Sequence, residues 1–421
     1  MHKIERLLQT LAPKGVEFRK LGEVCESTNK KTLKISEVSE VKNKGMYPVI
    51  NSGRDLYGYY HDFNNDGENI TIASRGEYAG FINYFNEKFF AGGLCYPYKV
   101  KDTNELLTKF LYFYLKTNEI QIMENLVFRG SIPALNKADI ETLTIPIPPL
   151  EIQQEIVKIL DAFTELNTEL NTELKARKKQ YQYYQNMLLD FNDINQSHKD
   201  AERKLAQKTY PKRLKQLLQT LVPKGVEFKK IGELFKRNKG INITAAQMKE
   251  LHSEIGKVRI FAGGATKADI DYKDISKKDI INCESVIIKS RGNIGFEYYN
   301  QPFSHKNEIW SYSSKTNQML VKFLYYYLSN NQYYFQKLAQ NSSVKLPQLS
   351  VSDTDEYEVP VPPLEIQQEI VTILDQFSIL TTDLLAGIPA EIKARKKQYE
   401  YYREKLLAFK PLTPHKEVKK D

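Results

Sequence analysis

Apolar residues fall at alternating steps of four and three along two long stretches of the chain. In the first, Ile152, Ile156, Ile159, Phe163, Leu166 and Leu170 make one seam. Leu174 follows after a second step of four, and Arg177, Tyr181, Tyr184 and Leu188 resume the rhythm. In the second, Ile366, Ile370, Ile373, Phe377, Leu380 and Leu384 repeat the seam, then Ile388, Ile392, Arg395, Tyr399, Tyr402 and Leu406 continue it. This spacing predicts two long helices carrying one and two four-residue stutters. Each stripe is too narrow for a globular core, so the two bury each other as a coiled coil. From Leu150 to Leu189 a continuous helix is ~60 Å long.

Both helices start on the same words. Pro148-Pro149-Leu150-Glu151-Ile152-Gln153-Gln154-Glu155-Ile156 recurs as Pro362 to Ile370. Pro149 and Pro363 suit a first turn, where an N–H has no partner to lose. Glu151, Glu155, Glu365 and Glu369 place negative charge at the positive end of the helix dipole. In the second helix Ala386-Gly387-Ile388-Pro389-Ala390 contains a breaker, and a kink or break is expected near Gly387.

Repetition extends beyond the helices. Leu7 to Phe18 recurs as Leu217 to Phe228, Thr71-Ile72-Ala73-Ser74-Arg75-Gly76 as Ile287 to Gly292, and Ile132-Pro133-Ala134-Leu135 as Leu346 to Leu349. Phe110 to Leu115 matches Phe323 to Leu328. Between these landmarks the halves diverge and read as mixed α and β. Tyr78 to Phe85, Ser285 to Ser290 and Glu141 to Ile147 have strand character. Phe110 to Leu126 and Val321 to Leu338 read as single amphipathic helices, and 192–211 as a polar linker leading into a short helix near Arg213 to Leu221. Near-identical frames around divergent middles mean two modules of one architecture presenting different surfaces.

A net charge of +9 permits a polyanionic partner. Cys25, Cys95 and Cys283 are far apart, which argues against a disulfide framework or a zinc site and for a reducing compartment. No secretory leader and no run of 18 apolar residues is present, so a cytoplasmic protein without a membrane partner is expected. No P-loop, G-x-S-x-G elbow or H-E-x-x-H helix occurs. Phe90-Ala91-Gly92-Gly93 and Phe261-Ala262-Gly263-Gly264 stop short of a dinucleotide fingerprint and read as turns. Catalysis, metal and cofactor are not expected on this chain.

Two variable modules, each followed by a Pro-Pro-Leu-Glu-Ile-Gln-Gln-Glu-Ile helix, resemble the specificity (S) subunit of type I restriction–modification systems. The resemblance covers nearly the whole chain. It implies an α+β fold: two mixed α/β target recognition domains joined by two long antiparallel coiled-coil helices, with a pseudo-two-fold internal repeat. The corresponding divisions are a first recognition domain at 1–149, a central spacer helix at 150–195, linker and second recognition domain at 196–363, a C-terminal spacer helix at 364–410 and a tail at 411–421. It further implies that each domain reads half of a bipartite site in double-stranded DNA. Two methyltransferase subunits would bring S-adenosylmethionine for adenine methylation, and two restriction subunits would bring ATP and magnesium for cleavage. A specificity subunit serving a fused methyltransferase–nuclease is a neighbouring alternative, and a coiled-coil scaffold binding protein or glycan is a rival from another class.

Thr164-Glu165-Leu166-Asn167, Thr168-Glu169-Leu170-Asn171 and Thr172-Glu173-Leu174-Lys175 form a tandem tetrapeptide, the kind of spacer unit seen in that family. Four residues lengthen a helix by ~6 Å and rotate the segment beyond them by ~40°. One base pair rotates a site by roughly 34°. The number of repeats is therefore expected to set the unread spacer between half-sites.

Arg75 and Arg291 occupy matched Ser-Arg-Gly turns, with Ser74, Lys289 and Ser290 beside them. A landmark shared by both modules fits phosphate positioning better than base readout, and the alternative is an arginine that merely holds the turn. Readout is expected where the halves differ. Asn51, Ser52, Arg54, Tyr57 and Tyr59 stand against Ala262, Gly263, Thr266 and Lys267; Glu77 and Tyr78 against Asn293 and Ile294; Arg129 and Ser131 against Asn341, Ser342 and Lys345. Arg177, Lys178, Lys179 and Tyr181, with Arg395, Lys396, Lys397 and Tyr399, could bind DNA phosphates or a methyltransferase helix, and their recurrence in both arms favours a methyltransferase interface. A solvated face with i, i+4 pairing is the plain alternative.

Overall fold

The computed structural model describes residues 2–191, 208–341, 346–382 and 386–412. The chain divides into two units, Met1–Asn171 with Glu391–Asp421, and Thr172–Ala390. Each unit contains one module, the start of its own spacer helix and the end of the other one.

In the first unit a four-stranded sheet runs in the order Cys25–Ser27, Cys95–Val100, Glu68–Ala73, Ile82–Asn86. A three-stranded sheet runs Gly58–Tyr60, Tyr47–Ile50, Phe90–Ala91, with the last pair parallel. The second unit repeats both orders: Phe235–Asn238, Trp310–Ser314, Ser285–Lys289, Gly295–Tyr299, and Lys267–Ile270, Val258–Phe261, Phe303–His305, again with one parallel pair. The internal strands are covered on both faces: Ile70 and Ile72 are buried on one side and Asn69 and Thr71 on the other, as are Val286 and Ile288 opposite Ser285 and Ile287 in the second unit. Tyr78 to Phe85 is strand only from Ile82, since 76–80 forms a turn closed by Gly80 N–H on the Ala73 carbonyl. Glu141 ends a short helix, Lys137–Glu141, and the strand there is Thr144–Ile147.

The two amphipathic helices expected as single elements are each broken. Thr108–Thr117 is followed by Glu119–Leu126, and Val321–Asn330 by Gln332–Asn341. Asn118 (φ −94°, ψ 7°) and Asn331 (φ −99°, ψ 15°) make the breaks. Their side-chain amides donate to the carbonyls of Tyr114 and Tyr327, both at 2.8 Å, the local competition that makes asparagine a poor helix-interior residue.

The central spacer helix, Leu150–Leu189, is continuous over 40 residues. It begins just after Pro149, whose carbonyl accepts from the N–H groups of Ile152 and Gln153. In the first unit Phe163 packs on Tyr399 and Tyr402; in the second Tyr181 and Tyr184 stack on Phe377. The partner's number falls as this helix's number rises, so the pairing is antiparallel. The other spacer comprises Leu364–Thr382 and Gly387–Leu406; 383–385, with Leu384 of the seam, lie outside the described residues. The expected break is present at Gly387, which has φ +73°. By length and composition Leu364–Leu406 passes for a membrane span, but Ile366, Ile370 and Leu374 are buried in the core of the second unit.

Matched contacts close each unit. Phe409, at the end of the second spacer, meets Phe110 edge-on at 5.9 Å; Phe191, at the end of the first, meets Phe323 at 6.2 Å. Gly15 (φ +104°) lies against the Lys410–Pro411 backbone, where any Cβ would come within 2.6 Å of a carbonyl oxygen. That explains the glycine of the Pro13-Lys14-Gly15-Val16 landmark in the first unit. Lys3, in the helix His2–Leu11, pairs with Glu155, and Arg213, in the helix Lys212–Leu221, with Glu369 at 3.1 Å, so these glutamates anchor those two helices as well as facing the dipole.

Candidate nucleic-acid interface

The Ser-Arg-Gly turns follow internal strands of the four-stranded sheets and are held by backbone. In the first unit Leu135 N–H donates to the Ser74 carbonyl (2.9 Å) and Gly76 N–H to the Pro133 carbonyl (2.9 Å). In the second, Leu349 N–H donates to Ser290 and Gly292 N–H to Pro347, both at 2.8 Å. Two landmarks separated by dozens of residues thus form one construction in each unit. Gly76 (φ +99°) and Gly292 (φ +76°) supply the left-handed turn. Because backbone fixes the turn, the exposed side chains of Arg75 and Arg291 are not needed to hold it. Ser74 and Ser290 are buried supports, the latter donating from Oγ to the Glu308 carbonyl at 2.6 Å. Lys289 is half-buried and paired with Glu297 at 2.7 Å, so its charge is already engaged within the sheet.

The loops expected to carry readout gather around these turns. In the first unit Leu94 accepts from Ser74 N–H and donates its own N–H to Asn51 Oδ1 (both 2.9 Å), tying the 51–57 loop to the 92–94 loop. The short hairpin of Val127–Phe128 and Ala134–Leu135 bridges to Arg75 through Ala134. Its exposed tip carries Arg129 and Ser131, with Phe128 72% exposed. Arg54, Glu77 and Tyr78 are exposed in the same neighbourhood, and Arg54 lies close enough to Lys116 to depress its pKa, although burial is the larger cause.

In the second unit Glu308 plays the binding role: it accepts from Gly263 N–H (3.2 Å) and its carbonyl accepts from Ser290, joining the 262–266 loop to the turn. Burial pushes the Glu308 carboxyl up, yet Lys306, Gly263 N–H and Arg291 together hold it below its ordinary range. Lys267 and Asn293 are exposed there. Ile294 is fully buried in the core and faces no ligand, because an apolar side chain beside a turn is drawn inward. Ser342 and Lys345 lie outside the described residues.

Lys30 carries no motif that marks it in the sequence. It donates to the Gly93 carbonyl at 3.3 Å and lies over the Tyr96 ring, adding a cation to the same loop end. The adjacent pair Lys30-Lys31 was the available signal. Gly92 needs no cofactor to explain it, since a Cβ there would come within 2.5 Å of Asn51 Oδ1.

On the spacer helices, Arg177 reaches Glu173 (3.4 Å) and Gln180 (3.1 Å), and Arg395 reaches Glu391 (3.6 Å) and Gln398 (3.3 Å). Tyr181 and Tyr399 are half-buried in the helix pairing, and burial pushes the Tyr181 hydroxyl up to about 12. Lys178, Lys179, Lys396 and Lys397 remain exposed. The basic clusters therefore combine intrahelical pairing with a free lysine face.

The family model "Type I restriction modification DNA specificity domain" matches residues 13–180 and again 223–394. A type I restriction enzyme specificity subunit of Haemophilus influenzae is 31% identical over 96% of this chain and 98% of its own. The EcoR124I/EcoR124II specificity subunit of Escherichia coli is 27% identical over 98% of each. Among solved structures, the type I restriction–modification S subunit of M. genitalium superposes with a TM-score of 0.62 at 21% identity, covering 95% of this chain and 97% of that one. With two modules of one topology, each ending in its own spacer helix, and the domain model matched on both, the chain belongs to the type I restriction–modification DNA specificity family and is a specificity subunit, the non-catalytic recognition component of such a system.

Proposed function

We propose that each module reads one half of a bipartite site in double-stranded DNA, with Arg75 and Arg291 on phosphates and the divergent loops on bases. The observation that carries this reading is the doubled turn: the same Ser-Arg-Gly loop is held by the same two backbone bonds in both units, while the loops around it differ. A shared element positions and a differing one specifies. The subunit works in the cytoplasm with two methyltransferase and two restriction subunits. S-adenosylmethionine, ATP and magnesium belong to those partners, and the exposed lysines at 178–179 and 396–397 face the methyltransferases.

A gel-shift titration of the complex with purified methyltransferase tests the reading. Expected are preference for one duplex over scrambled DNA and a log–log salt dependence of about −0.9 per phosphate contacted. Equal binding to all duplexes, or none, would favour the protein-binding scaffold.

A further inference from the structure

Gln153 is 0% exposed in a helix face otherwise made of Ile152, Ile156 and Leu160, and Gln367 is 0% exposed among Ile366, Ile370 and Leu374. Gln153 Oε1 accepts from Leu107 N–H (2.8 Å), and its Nε2 donates to the carbonyls of Glu105 (2.8 Å) and Pro148 (2.7 Å). Gln367 repeats this with Leu320 N–H (2.8 Å) and the carbonyls of Gln318 (2.8 Å) and Pro362 (2.7 Å). Leu107 and Leu320 are the residues from which the module helices Thr108–Thr117 and Val321–Asn330 start. Each glutamine therefore reaches out of a spacer helix to the root of its module's own helix.

A second tie lies eight residues further along each spacer, ~12 Å up the axis. Lys109 pairs with Asp161 at 2.8 Å, and Lys322 with Asp375 at 2.7 Å. In the second unit Tyr326 adds a hydroxyl to Asp375; the matching position in the first is Phe113, which has none. Two ties spaced along one axis fix both the tilt and the rotation of a body attached there. Stability alone does not require a buried amide, since apolar replacement of a satisfied buried pair is often close to neutral. A fully satisfied directional network instead selects one arrangement among several equally greasy ones.

We propose that Gln153 with the Lys109–Asp161 pair, and Gln367 with the Lys322–Asp375 pair, are positioning residues that set the rotation of each recognition module about its spacer helix, and thereby the DNA spacer the subunit accepts. The inference rests on the bipartite-reading proposal. One base pair corresponds to roughly 34° of rotation, so a module freed to swivel by that amount accepts neighbouring spacers while its loops still read the same letters.

The test is methylation mapping with the complete methyltransferase complex carrying Gln153→Met, Gln367→Met or, on the half-exposed pair, Lys109→Met, each beside wild type. Methionine keeps the volume and removes the bonds. The expected result is unchanged half-site letters and methylation at spacers one base pair longer or shorter, raised up to about tenfold, the factor carried by a lost hydrogen bond. Lys109→Met should show the same change more weakly, which keeps the test decisive if a glutamine variant does not fold. An unaltered spacer distribution in folded variants overturns the proposal, as does a change of letters in one half-site. A wild-type complex that methylates no bipartite site would sink the reading itself, a failure distinct from either variant outcome.

Discussion

Arg75 and Arg291 differ from their neighbours in being both repeated and released from structural duty. If they meet phosphates, Arg75→Ala weakens binding by the same factor for cognate and scrambled duplexes and lowers the salt slope by about 1. Loss confined to the cognate duplex would make Arg75 a base reader instead. Salt-series titration on the two duplexes separates these outcomes. A different residue contributes to acid stability. His305 is buried, with Nε2 at 3.2 Å from Ser311 Oγ, and burial holds its pKa below the ordinary range despite backbone bonds that oppose the shift. The unfolded imidazole titrates near ~6.5. Below that value the unfolded chain takes a proton that the folded one refuses, so stability is complete above ~6.5 and drains away as pH falls towards the folded pKa. Thermal melts should show the second unit losing stability from pH 7 to pH 5, and His305→Asn should flatten that slope whatever it does to the absolute Tm. The arginines were legible because repetition marks them. The burial of Gln153 and Gln367 was not, because a polar letter next to a heptad seam looks like its solvated flank until the module that covers it is in place.

At the level of elements, periodicity located the spacer helices, the proline pairs marked their starts, and Pro389 signalled the break near Gly387. Periodicity merged the helices around Asn118 and Asn331, since one asparagine does not interrupt an apolar rhythm even when its amide diverts the backbone. The strand boundary at Ile82 was lost for a related reason: the apolar letters Tyr78, Ala79 and Phe81 lead without interruption by charge into the strand, although the backbone makes a turn there. Gly387 is the element whose replacement has the clearest cost. A side chain there meets φ +73° and would come within 2.5 Å of the Ile379 carbonyl oxygen. Gly387→Ala should destabilise the second unit by at least ~1–2 kcal/mol, measured by denaturant titration, the penalty of left-handed backbone for an L-residue. The tetrapeptide repeat makes the opposite case. Thr164–Lys175 lies inside an uninterrupted helix. Deleting Thr168 to Asn171 should shorten it by ~6 Å and one ~40° step without breaking it. Methylation mapping is expected to show both half-sites unchanged and a shorter spacer; altered letters with an unaltered spacer would refute the assignment.

For the whole molecule, the doubled architecture matters because two weak readings in one body multiply. On the proposed reading each module meets its half-site through a limited set of polar loop side chains. Binding the second half-site after the first is intramolecular, and linked modules gain ~10²–10⁴ in avidity when geometry allows both to engage. That gain disappears when it does not. Inserting five base pairs between the half-sites turns one of them by about half a helical turn, given 10–10.5 pairs per turn. Affinity for such a duplex should fall to that of DNA carrying a single half-site, and methylation should fall with it. Inserting ten pairs restores the face but adds ~34 Å, more than half the ~60 Å length of the central helix, so it should not rescue binding. A flexible tether between independent readers would behave differently, tolerating both insertions with a gradual loss. Competition binding with the native, plus-five, plus-ten and half-site duplexes therefore distinguishes a rigid spacer from a leash, and recovery at plus ten would show that the chain measures phase without measuring distance.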